Sequence, residues 1–131
     1  MKLFFLTLLT GAALFLAGCF SADNNYLEAQ DFAEHLKQAG LPVASVRPIP
    51  ADPFKANSAV AIMVGESEIG VYKYDRSSRH QKKRIEKLAK TKRTHIAGLP
   101  YPIVVHGSFM FFGLEKNKHK HAILKTIKNF Q

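Results

Sequence analysis

The chain has 131 residues, of which 47% are hydrophobic and 22% charged, and its formal net charge is +9. That size gives one domain of ordinary proportions rather than two, and the composition excludes a disordered chain. A lone cysteine excludes a disulfide framework, and the excess of cations points to anionic partners or surfaces without specifying a fold.

Met1-Lys2 supplies a short positive start, residues 3–16 are mostly apolar, and Leu16-Ala17-Gly18-Cys19 follows. A positive start, an apolar run and small residues before a cut describe a secretory leader. The run is too short to cross a bilayer comfortably as a permanent helix. Leu16-Ala17-Gly18-Cys19 resembles the lipobox of bacterial lipoproteins. The resemblance implies cleavage before Cys19, lipidation of its thiol by a diacylglyceryl (palmitate-type) group, and Cys19 as the mature N-terminus. Removal of Lys2 with the leader leaves a net charge of +8. Each buried methylene contributes about 0.8 kcal/mol, so two or three acyl chains hold a protein at a membrane without help from its surface. Phe20 and Ser21 follow the cysteine, where an aspartate would imply retention at the inner membrane of a Gram-negative cell. For such a cell the resemblance implies the outer membrane, facing the periplasm. The expected organisation is a leader over residues 1–18, a lipidated cysteine and tether over 19–25, and one domain over 26–131.

Within that domain, Ala29, Phe32, Ala33, Leu36 and Ala39 recur at helical spacing, which predicts a helix over residues 26–39. Gly40 and Pro42 then end it. Prolines 42, 48, 50 and 53 predict a loop up to residue 57, opening on a short extended piece at 43–47. Residues 59–64 and 68–74 are apolar, β-branched and aromatic about a Gly65-Glu66-Ser67 turn, and predict a hairpin. Residues 75–93 predict a helix with few apolar positions, with Asp75, Ser77 or Ser78 as its cap. Residues 94–102 read as a connection containing Gly98, Pro100 and Pro102. A second hairpin joins 103–106 to 109–112 through a turn near Gly107-Ser108. Asn117 is placed to cap a last helix that carries Ile123, Leu124, Ile127 and Phe130 on one face.

The order helix, hairpin, helix, hairpin, helix predicts an α+β fold: a four-stranded, mainly antiparallel sheet with the helices packed on one face. This layout, with its strand Glu-Ile-Gly-Val-Tyr-Lys-Tyr-Asp at residues 68–75, resembles a group of small bacterial lipoproteins and secreted domains. The resemblance covers most of residues 27–130 and implies the fold. It brings no catalytic signature with it.

The strongest candidate site is the middle helix. Arg76, Arg79, Lys83, Lys87 and Lys90 fall in one arc at 3.6 residues per turn, flanked by Lys82 and Arg93. Ile85, Leu88 and Ala89 lie opposite. Like charges three or four apart destabilise a helix by about 0.2–0.5 kcal/mol each, and Glu86, four residues before Lys90, offsets part of this. Either the face is merely solvated or an anionic partner offsets the rest.

No metal or cofactor site is expected. His119 and His121 are two apart beside lysines, whereas a helical pair of ligands needs spacing of four. Cys19 is consumed by the lipid. His106-Gly107-Ser108 reads as a turn, and neither a Gly-x-Ser-x-Gly elbow nor a phosphate-cradling loop occurs. Phe109, Met110, Phe111 and Phe112 form an aromatic strand with at least one core face. The other face is either covered by helices or a partner-binding patch.

The sequence therefore predicts a lipid-anchored, non-catalytic binding or adaptor module of the cell envelope. Its basic helix would face an anionic envelope polymer, a lipid headgroup or an acidic protein. Nucleic acid is disfavoured by export. The alternative is an accessory subunit of an envelope or secretion assembly that binds through its sheet.

Overall fold

In the computed structural model, residues 23–131 are described; Cys19 and the expected leader lie outside them. The extended segments form one six-stranded sheet of β1 (Val43–Pro48), β2 (Ser58–Val64), β3 (Ser67–Lys73), β4 (Arg93–Ile96), β5 (Leu99–His106) and β6 (Phe109–Phe112). The strand order is β1-β2-β3-β6-β5-β4, and every neighbouring pair is antiparallel. The sheet is therefore two three-stranded meanders joined at a β3–β6 seam of four residue pairs, from Gly70↔Phe112 to Lys73↔Phe109.

This corrects the expected four-stranded sheet: β1 and β4 are additional strands, and β5 begins four residues before the predicted hairpin. Proline is the reason they are hard to read. The Ile49 amide donates to the Ala59 carbonyl, so the neighbouring Pro48 nitrogen faces the open edge of β1, where no donor is needed. The Ile103 amide donates to the Lys92 carbonyl on the β4 side. Pro100 and Pro102 therefore turn their nitrogens to the other side of β5, and β6 pairs only with Ile103–His106 there.

Three helices complete the fold: α1 (Asp31–Gln38), α2 (Arg79–Thr91) and α3 (Lys120–Lys128). All three are shorter than their predicted spans. The placement of helices on one face is also corrected, because the sheet is covered on both. Phe32 and Leu36 of α1, and Ile123 and Ile127 of α3, bury against Val60, Ile62, Val71, Phe109 and Phe111 on one face. On the other, Ile85 and Leu88 of α2 pack with Tyr72, Tyr74, Ile103 and Met110. Strand alternation explains the split, since Phe109 and Phe111 point one way and Met110 and Phe112 the other.

A short 3₁₀ turn at Asp52–Phe54 extends the second layer. Phe54 meets Tyr72 edge-on at 4.8 Å, and the Tyr74 hydroxyl donates to the Phe54 carbonyl over 2.6 Å. Tyr74 is fully buried, and burial pushes its hydroxyl pKa up.

Asn24 and Asn25, read from sequence as tether, are built into the domain. Asn24 is fully buried, and its amide donates to the carbonyls of His106 (3.1 Å) and Phe130 (3.0 Å). The Asn25 side-chain oxygen accepts from the Arg76 amide and the Ser108 hydroxyl, each at 2.8 Å. The described apolar core lies wholly between Ala29 and Phe130. No helix among the described residues is long and apolar enough to cross a membrane.

Candidate functional site

Helix α2 leaves β3 beside the β5–β6 turn and runs back along the sheet to β4. Ser78 stands at its N-cap in an extended conformation, and its C-cap Lys92 has a left-handed φ of 56°. Ile85 is its one fully buried residue, with Leu88 packed beside it, so a narrow stripe holds the helix and the remainder faces outward.

The predicted basic residues separate into two groups. Arg79, Lys83, Lys87 and Lys90 lie on α2 and are exposed. Arg76 precedes the helix and is partly buried, and its Nε donates to the Ser108 hydroxyl over 2.9 Å. Its position is fixed by the Asn25–Ser108 network, whereas the other four project from a helix surface. Nearby, the Asp75 carboxylate accepts from the Ser77 hydroxyl (2.6 Å), the Ser77 amide and Asn25, which together hold its pKa below the usual carboxylate range. Cys19 lies outside the described residues.

Charge on the chain is strongly segregated. Residues 79–93 hold eight lysines and arginines and one acid, a net of +7, while the remaining described residues hold ten cations and nine acids. Among the described residues, the five ion pairs all lie elsewhere: Lys37–Glu34, Arg47–Glu68, Lys73–Glu28, Lys118–Glu66 and Lys120–Glu115. Arg47 and Glu68 form two parallel 2.9 Å hydrogen bonds that hold the Glu68 pKa down. Acids thus neutralise cations around the rest of the domain and leave the α2 face uncompensated.

Two grooves flank α2. On the β4 side, a groove of about 480 Å³ is lined by Lys55, Arg84, Lys87, Arg93 and His95, over Phe54 and Leu88. Lys55 arrives from the loop after the 3₁₀ turn, where the Gln81 side-chain amide donates to its carbonyl over 2.9 Å. Helical spacing identifies Lys87, with Arg93 at its flank, but misses Lys55, Arg84 and His95, because three separate elements bring the group together. On the β5 side, a cleft of about 690 Å³ lies between Lys82, Glu86, Arg76 and His106.

His106 and Ser108 form no nucleophilic pair. The Ser108 hydroxyl donates to Asn25 and accepts from Arg76, while the His106 Nε2 is buried with no hydrogen-bond partner among the described residues. His119 accompanies the turn before α3, where its amide donates to the Asn117 side-chain oxygen over 2.8 Å; His121 is exposed. Among the described residues no three His, Cys, Asp or Glu side chains gather as metal ligands.

No known protein family, curated protein or solved structure matches this chain.

Proposed function

We propose that the protein is a lipid-anchored, non-catalytic binding module of the cell envelope, attached through Cys19 and holding an anionic partner on the α2 face. The observation that carries this reading is the net +7 over residues 79–93, none of it engaged in an ion pair among the described residues. Helix formation alone does not favour such a face, since each like-charge neighbour opposes it by about 0.2–0.5 kcal/mol. An anionic partner removes that opposition and gains Coulombic energy from every cation it meets. Lys55, Arg93 and His95 widen the face beyond the helix.

Retention of envelope components on immobilised residues 23–131, at low and high salt, tests this. The comparison is a variant with Arg79, Lys83, Lys87 and Lys90 all changed to Glu. A partner held at low salt and lost on charge reversal is the expected result, because exposed charge pairs are screened over about 10 Å at 0.1 M salt. A partner that both forms retain at high salt overturns the reading. It would favour an assembly subunit that binds through apolar surface.

A further inference from the structure

We propose that the partner of this face is an anionic bilayer, and that the β4–β5 hairpin docks into it with the α2 cations on the lipid phosphates. This deepens the reading above and rests on it.

Among the described residues five large hydrophobic side chains are exposed, and three belong to this hairpin: Ile96 (39%), Leu99 (59%) and Tyr101 (37%). Ile96 and Leu99 are directly paired and therefore share a face. Residues 96–105 form a run of ten without a charge. The tip is Ala97-Gly98, with φ of 52° and 80°. Two left-handed residues in a two-residue hairpin turn favour Asn-Gly or Asp-Gly. An alanine there accepts unfavourable backbone geometry and keeps the tip apolar. Immediately below the tip lie Arg93 and His95, then Arg84 and Lys87 of α2.

An uncharged tip above a collar of cations has the polarity profile of a bilayer interface: phosphates outside, acyl chains within. Tyrosine, apolar with one polar end, suits the boundary between them. An acidic protein would satisfy the collar but leaves the apolar tip unexplained. Each cation brought to an anionic surface strengthens attachment about fivefold.

The register also separates the Asn24 end of the domain from the hairpin tip. Asn24 bonds to His106 at one end of β5, and the tip lies beyond Leu99 at the other. Seven residue steps at about 3.4 Å separate them by roughly 24 Å. Residues 19–24 extend to roughly 17 Å, enough for the domain to lie lengthwise along the bilayer that holds Cys19. The anchor makes the hairpin contact intramolecular, so weak insertion suffices.

The chain contains no tryptophan, so Leu99→Trp is a site-specific reporter. The full chain carrying it is reconstituted into vesicles of phosphatidylglycerol with phosphatidylcholine, or of phosphatidylcholine alone, with brominated acyl chains as quenchers. The expected result is blue-shifted, quenched emission in the anionic vesicles only, lost when Lys87→Glu and Arg93→Glu are added. Val46→Trp is the control, because β1 is the opposite edge of the sheet; it remains unquenched. Solvent-like emission from position 99 in anionic vesicles overturns the proposal, as does equal quenching at positions 46 and 99 or equal quenching in neutral vesicles. Charge-dependent retention of another envelope component would then leave the broader reading standing, whereas its absence would remove both.

Discussion

The Ser108 amide donates to the side-chain oxygen of Asn24 over 2.8 Å, across 84 positions of sequence. The same asparagine donates to the His106 and Phe130 carbonyls. One buried side chain thus joins the start of the domain, the β5–β6 turn and the C-terminus. Asn24→Ala leaves an amide and two carbonyls without these partners, and each buried orphan costs about 1–3 kcal/mol. The expected loss is about 3 kcal/mol or more, measured by urea unfolding. A loss below half a kcal/mol would show that the clasp closes after the rest is already stable.

Gly70 lies under the ring of Tyr72. A Cβ at Gly70 would sit 2.8 Å from the Tyr72 Cε2, and that ring is in turn met edge-on by Phe54. Gly70→Ala is therefore expected to destabilise the domain by about 1–3 kcal/mol through displaced aromatic packing. In a Tyr72→Leu background most of that penalty should vanish, which a double-mutant cycle measures directly. An unchanged penalty would place its origin in the backbone instead.

Lys87 has Lys83 and Arg84 one turn before it and Lys90 one turn after. Lys87→Glu replaces three repulsions by three attractions and is expected to raise stability by about 1–3 kcal/mol at low ionic strength. The gain should fade in high salt, followed by thermal unfolding. The same variant should lose affinity for anionic vesicles. Stability and binding moving in opposite directions would separate a functional lysine from a structural one.

Burial depresses the pKa of His106 below its ordinary 6.5. As pH falls through 6.5, the unfolded chain takes up a proton that the folded protein refuses. Stability therefore declines from that point towards the lower folded pKa. His106→Gln removes this contribution, so its unfolding midpoint should fall less between pH 7.5 and 5 than that of the parent. Parallel pH profiles for the two proteins would refute the assignment.

Local chemistry made much of the fold legible. The aromatic and β-branched strands about Gly65 and Gly107, the stripe of Phe32 and Leu36, and that of Ile123 and Ile127 all follow from periodicity. Edge strands were obscured because Pro48, Pro100 and Pro102 oppose strand formation unless one side of the strand stays unpaired, which only the sheet order reveals. Coverage of both faces was hidden because α2 secures itself with little beyond Ile85 and Leu88. The helical part of the basic face was legible from spacing. Lys55 and His95 were not, since their proximity depends on tertiary folding.

The β3–β6 seam sets an order of events. Strands β1 to β3 are sequence neighbours, as are β4 to β6, so each meander forms from short-range contacts. Only the seam joins them directly, and until it closes β3 and β6 are both open edges carrying Val71, Phe109 and Phe111. Such edges pair readily with those of other chains. A newly made chain thus passes through a brief interval in which two halves of different molecules can meet. Crowding would lengthen the odds against correct closure, and dilution would shorten them.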